Sequence, residues 1–98
     1  MLRVFQNEKG VLYDKKNRKL FIMCYKMADE DFVSKLGNKI TPQEFLICSL
    51  IHNDFSKENI INVLSLSNDA FRKLKSRTLI ELQNKDELRD ICDILSAF

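Results

Sequence analysis

Apolar positions follow a helical period along most of this chain. From Arg18 onward Phe21, Tyr25, Ala28, Phe32 and Leu36 recur at spacings of four, three, four and four, which marks one buried helical face. Gly37 and Asn38 supply stop residues after it. From Thr41 to about His52 the chain is apolar nearly all round, with Phe45, Leu46, Ile47, Cys48, Leu50 and Ile51, so this helix belongs in the middle of a domain. A short helix is expected over Lys57–Leu64, a link at Ser65-Leu66, and a longer helix to about Leu82. In that longer helix Phe71, Leu74, Thr78 and Leu82 share one face. A last helix is expected from Asn84-Lys85-Asp86-Glu87, with Leu88, Ile91, Cys92 and Leu95 as its apolar stripe and Phe98 extending it.

Local capping signals place the helix starts. Thr41-Pro42-Gln43-Glu44 joins a capping threonine, a proline suited to the first helical position and a glutamate that can reach back to complete a capping box. Ser56 and Ser67 cap the next two helices, and Asn84 is the expected cap of the last. Residues 1–17 carry no clear period. Leu2-Arg3-Val4-Phe5, Gly10 and Val11-Leu12-Tyr13 fit a small hairpin, a frayed helix or a loose arm. The expected fold is all-α: an N-terminal arm over 1–17, then a small bundle of about five helices over 18–98, with a helix-turn-helix at 56–82.

Composition narrows the class. The chain has 98 residues, 45% hydrophobic and 31% charged, which suits one globular domain with a single modest core. Two glycines and one proline argue against a many-stranded sheet. The longest apolar run, Leu20 to Tyr25, is far short of the roughly 18 residues of a membrane span and has no signal-peptide context. Cys24, Cys48 and Cys92 are odd in number and far apart, so reduced, buried thiols in a cytoplasmic chain are expected.

Charge is segregated although the net is only +2. Residues 1–26 carry seven basic and two acidic groups, and residues 57–80 five and two. The stretches between and after, 27–56 and 81–98, each carry two basic and five acidic groups. The helix ending at Leu82 concentrates Arg72, Lys73, Lys75 and Arg77. A short buried helix supporting a basic one is how a helix-turn-helix presents side chains to a DNA major groove. With the apolar face inward, Arg72, Lys73 and Ser76 face outward where base edges are reached. Arg72 leads, because its planar fork matches two acceptors on guanine. Lys57, Asn68, Lys75 and Arg77 are placed for phosphates, which fix register without reading sequence.

The stretches Ile40-Thr41-Pro42-Gln43-Glu44, Phe55-Ser56-Lys57-Glu58-Asn59-Ile60-Ile61 and Ser67-Asn68-Asp69-Ala70-Phe71-Arg72, with Ser76-Arg77 and Leu82, resemble the LuxR/NarL-type (GerE-type) DNA-binding domain of bacterial transcription regulators. That family typically reads Leu-Thr-Pro-Arg-Glu, Leu-Ser-Asn-Lys-Glu-Ile-Ala and Ser-x-x-Thr-Val-Lys at these places. Asp31-Phe32 and the run Leu46 to Ile51 look like the C-terminal output domain of large signalling regulators. The resemblance implies sequence-specific binding of duplex DNA, with the helix at about 68–82 in the major groove. Three positions depart from the pattern: Ile61 replaces a small residue at the helix–helix approach, Ala70-Phe71 replaces Thr-Val, and Asp54 stands at the turn glycine. Those departures and the acidic flanks suit a rival, a protein-interaction module that keeps the helical core without binding DNA.

Other chemistry has little to build on. Cys48 and His52 lie four apart, but no second pair of metal ligands has a recognisable spacing. Glu44 is explained by its cap. With one histidine and no glycine-rich loop, paired carboxylates or nucleophile–base order, no catalytic function and no cofactor are expected. Lys15-Lys16-Asn17-Arg18-Lys19 suits a solvated helix start more readily than a track for a phosphate backbone. The last helix, with Ile91, Ile94, Leu95 and Phe98, suits either pairing of two copies or closure of the domain's own core.

Overall fold

A computed structural model describes residues 9–98, and among these there are six α-helices, one short 3₁₀ turn and no strand. The helices are α1 (Lys15–Ala28), α2 (Glu30–Leu36), α3 (Pro42–His52), α4 (Lys57–Leu64), α5 (Asn68–Leu82) and α6 (Arg89–Ala97), with the 3₁₀ turn at Asp86–Leu88. The all-α bundle is as expected, with one helix more. The part of the N-terminal arm before Lys9 lies outside the described residues. Helix α1 starts at Lys15 rather than Arg18.

The helix count differs because the 18–36 period does not run through one helix. Asp29, at φ −139° and ψ 65°, breaks it between α1 and α2 without a glycine or proline. Long-range contacts hold the break. His52 stacks on Phe32 with ring centroids 4.0 Å apart, and its Nε2 lies 3.4 Å from Asp29 Oδ2. The Tyr25 hydroxyl donates to Asp29 (3.1 Å) and accepts from the Asn53 amide (2.8 Å). Phe21, Tyr25, Phe32 and Leu36 are buried as the period requires, whereas Ala28 beside the break is exposed.

Every residue of α3 from Glu44 to Ile51 is buried, and α3 packs against α1, α5 and α6. Its capping box is complete: Thr41 Oγ1 accepts from the Glu44 amide (3.2 Å), and Glu44 accepts from the Thr41 amide (2.9 Å). Two backbone donors are thereby satisfied, one by the Thr41 hydroxyl and one by the buried Glu44 carboxylate. Ser56 and Ser67 cap α4 and α5 in the same sense, accepting from the Asn59 and Ala70 amides.

Helices α3 and α4 both end in a reciprocal pair of backbone bonds around one left-handed residue. After α3, Asp54 (φ 66°) donates to Ile51 and Phe55 donates to Leu50, each at 3.0 Å. After α4, Ser65 (φ 51°) donates to Asn62 and Leu66 donates to Ile61. This is the C-terminal motif that glycine usually completes. Asp54 therefore occupies a left-handed position, where glycine is unstrained.

The last helix starts later than expected. Asn84 is not its cap; the chain passes through the 3₁₀ turn, and α6 begins at Arg89 with no side-chain cap. Leu88, Ile91 and Leu95 are buried in the domain's own core, and Phe98 leans on Phe71 with centroids 6.4 Å apart. Of the thiols only Cys48 is buried. Cys24 is exposed, because it sits off the Phe21–Tyr25 face of α1, and Cys92 is half-buried with its thiol 3.7 Å from the Leu82 carbonyl. No helix among the described residues is long and apolar enough to cross a membrane.

Candidate nucleic-acid interface

Helix α5 is divided lengthwise. Phe71, Leu74, Thr78 and Leu82 are its buried residues, and the Thr78 hydroxyl donates to the Leu74 carbonyl at 2.7 Å, so its polarity is satisfied inside the core. Residues Arg72, Lys73, Ser76 and Arg77 are exposed and line one open concavity. Three of these carry fixed cationic or ammonium charge and one a hydroxyl, and no carboxylate lines the concavity with them.

Arg72 is not a free fork. Its guanidinium pairs with Asp69 at 2.5 Å, one turn earlier on the same helix, with both side chains about three-quarters exposed (74% and 79%). Solvent screens such a pair and makes it weak, so a stronger acceptor can displace the carboxylate. Arg72 also borders a second groove with Lys57, Asn68, Phe71, Lys75 and Phe98. It therefore joins the outer concavity to the α4 side of the unit.

The residues expected at phosphates divide into two groups. Arg77 and Asn68 are exposed, as that role requires. Lys57 and Lys75 are half-buried. Lys57 Nζ lies 5.7 Å from the centre of the Phe71 ring, a cation–π contact that steadies the ammonium beside the start of α5. Lys75 lies on the flank facing α6, where its ammonium donates to the Ser96 carbonyl at 3.4 Å. The apolar period alone does not reveal that flank, since the position of α6 is set by tertiary packing.

Two features of this surface have only faint signals in the sequence. One is Asp69, whose place three residues before Arg72 is a pairing distance on a helix. The other is Ile80, 61% exposed on α5 one turn after Ser76 and Arg77, where the apolar period does not require it.

The metal-ligand spacing of Cys48 and His52 does not form a cluster. Cys48 is buried, with its thiol pushed up to about 12 chiefly by loss of solvent, while His52 is held on Phe32 at the surface. Among the described residues no group of three or more histidine, cysteine, aspartate or glutamate side chains is placed to hold a metal ion.

Comparison of the chain with protein-family models, with curated proteins and with solved structures gives no match in any of the three.

Proposed function

We propose that α4 and α5 act as a LuxR/NarL-like helix-turn-helix that docks on duplex DNA as the output of a transcription regulator. The carrying observation is the division of α5: Phe71, Leu74, Thr78 and Leu82 lie inward, while Arg72, Lys73, Ser76 and Arg77 gather on one open face. Arg72, Lys73 and Ser76 would meet base edges. Arg77, Asn68 and Lys57 would meet phosphates, and Lys75 would join them by releasing the Ser96 carbonyl. Such a role is one of binding, not catalysis, and belongs in the cytoplasm. Pairing of two copies through α6 would rest on Ile94, 41% exposed, since Leu88, Ile91 and Leu95 already close the core.

The rival docking module draws on Ile80 beside the cations and on the Asp69–Arg72 pair, both of which suit a protein partner. Salt dependence separates them. Fluorescence anisotropy of a labelled mixed-sequence duplex, at about 50 and 200 mM salt, should show binding that weakens steeply with salt. The Arg72→Ala/Lys73→Ala double variant should lose most of it. On a cognate site Arg72→Ala alone should cost about 1–3 kcal/mol. Absence of binding by the wild type at low salt would favour the docking module.

A further inference from the structure

The turn before α1 is fastened to the end of α4. The Gly10 amide donates to the Asn62 carbonyl at 2.7 Å, and the Leu12 amide donates to the Val63 carbonyl at 2.8 Å. These are carbonyls of the last helical turn; that of Asn62 also accepts from the Ser65 amide at 3.2 Å. Leu12 anchors the turn in the core with 1% of its surface exposed. Residues Tyr13 and Lys15 are thus held beside the link that joins α4 to α5, even though they are some 50 residues away in sequence.

A concavity opens at that place. Its floor is apolar: Leu64 at the end of α4, Leu66 of the link and Leu74 of α5. Its rim is polar, with two basic residues, Lys15 and Arg18, beside the neutral Tyr13 and Gln43. The one acid there, Asp14, caps the start of α1, its Oδ1 accepting from the Lys16 and Asn17 amides at 2.8 and 3.3 Å. Leu74 and Lys75, about 100° apart on α5, lie to either side of its Phe71–Thr78 stripe, Leu74 bordering this concavity and Lys75 the Phe98 groove. Cations therefore flank the recognition unit on both sides, Lys57 and Lys75 on one and Lys15 and Arg18 on the other.

Resting on the DNA-binding role proposed above, we infer that Lys15 and Arg18 form a second phosphate clamp, holding the DNA backbone beside the α4–α5 link. The sequence favoured plain solvation of this helix start, but the fastening of residues 10 and 12 to α4 fixes these two side chains beside α5. Lys16 and Lys19 belong to the same basic run but do not line the concavity. They remove the same charge without touching the proposed clamp.

The test is a salt titration of the full chain on a labelled mixed-sequence duplex, comparing wild type, Lys15→Ala/Arg18→Ala and Lys16→Ala/Lys19→Ala. Each lost phosphate contact should make the slope of log K against log salt shallower by about 0.9, so the first variant should lose about 1.8. Between 50 and 200 mM salt, wild-type affinity should then fall about 12-fold more than that of the variant. The Lys16/Lys19 variant should keep nearly the wild-type slope. Arg18 is half-buried, so Lys15→Ala alone, with a slope loss of about 0.9, serves if the double variant melts early. Equal losses in the two double variants would reduce the effect to overall charge and overturn the clamp. An unchanged slope in Lys15→Ala/Arg18→Ala would overturn the clamp and leave DNA binding by α5 standing. A wild type that binds no duplex would overturn both.

Discussion

Replacing Asp69 by asparagine should tighten DNA binding while weakening the fold. Asp69 lies in the first turn of α5, where a carboxylate complements the exposed amides, and it holds Arg72 at 2.5 Å. Removing its charge should cost about 0.3–1 kcal/mol of stability through the lost helix-terminus interaction. For binding the signs reverse. An exposed pair at this spacing is worth about 0.3–0.5 kcal/mol, which Arg72 must give up before it can reach a base. A carboxylate about 8 Å from one phosphate, in water, adds repulsion of about 0.5 kcal/mol. Together these come to about 1 kcal/mol, or about a fivefold gain in affinity for Asp69→Asn at low salt. Anisotropy titration and a urea melt of the same preparation measure the two effects side by side. An Asp69→Asn protein that melts earlier and binds DNA no better than wild type would show that this face of α5 does not meet the duplex.

Three further outcomes follow from the fold. Asp54→Gly should raise stability by about 0.5–1 kcal/mol in a denaturant melt, because Asp54 sits at φ 66° where glycine is unstrained; a loss would mean that the carboxylate contributes more than the backbone strain costs. Leu12→Ala should cost about 2–5 kcal/mol, since the side chain is 1% exposed and anchors the turn on α4; a surface-like change below about 0.5 kcal/mol would show that the turn is not docked. Tyr25, with its pKa pushed up to about 12 mainly by burial, stays protonated in the fold after the unfolded chain ionises near 10. Its contribution to stability is therefore complete below about pH 10 and lost as pH rises towards 12. In a Tyr13→Phe background, absorbance titration should find tyrosinate forming about two units later in the folded protein than in urea, and coincident curves would contradict the burial.

What was legible in the sequence was what is local. The starts of α3, α4 and α5 follow from Thr41, Ser56 and Ser67 because a cap is a contact within three residues. The inward face of α5 follows from spacing alone. What escaped depended on distant partners. Asp29 breaks the α1–α2 run where it meets His52, with Tyr25 tied to Asn53, and no breaker residue announces it. The turn at residues 9–13 takes its conformation from the α4 carbonyls, so its own sequence fits several shapes equally. The start of α6 shifted because Asn84 and Glu87 imitate a capping box where the chain first makes a 3₁₀ turn. In the candidate site, charge and period mark Lys75 as an outward cation, whereas its contact with Ser96 depends on where α6 packs.

The most direct measurement is an amide NMR titration of the labelled protein with a mixed-sequence duplex at about 50 mM salt. If α5 is the contact surface, perturbed amides should gather between Ser65 and Arg77, with a smaller group at Tyr13 to Arg18. The outer face of α1 at Leu20, Met23 and Met27, exposed and on the side of that helix away from Phe21 and Tyr25, should stay unchanged. Perturbations centred on that α1 face or on Ile94, with none along α5, would contradict the proposed interface.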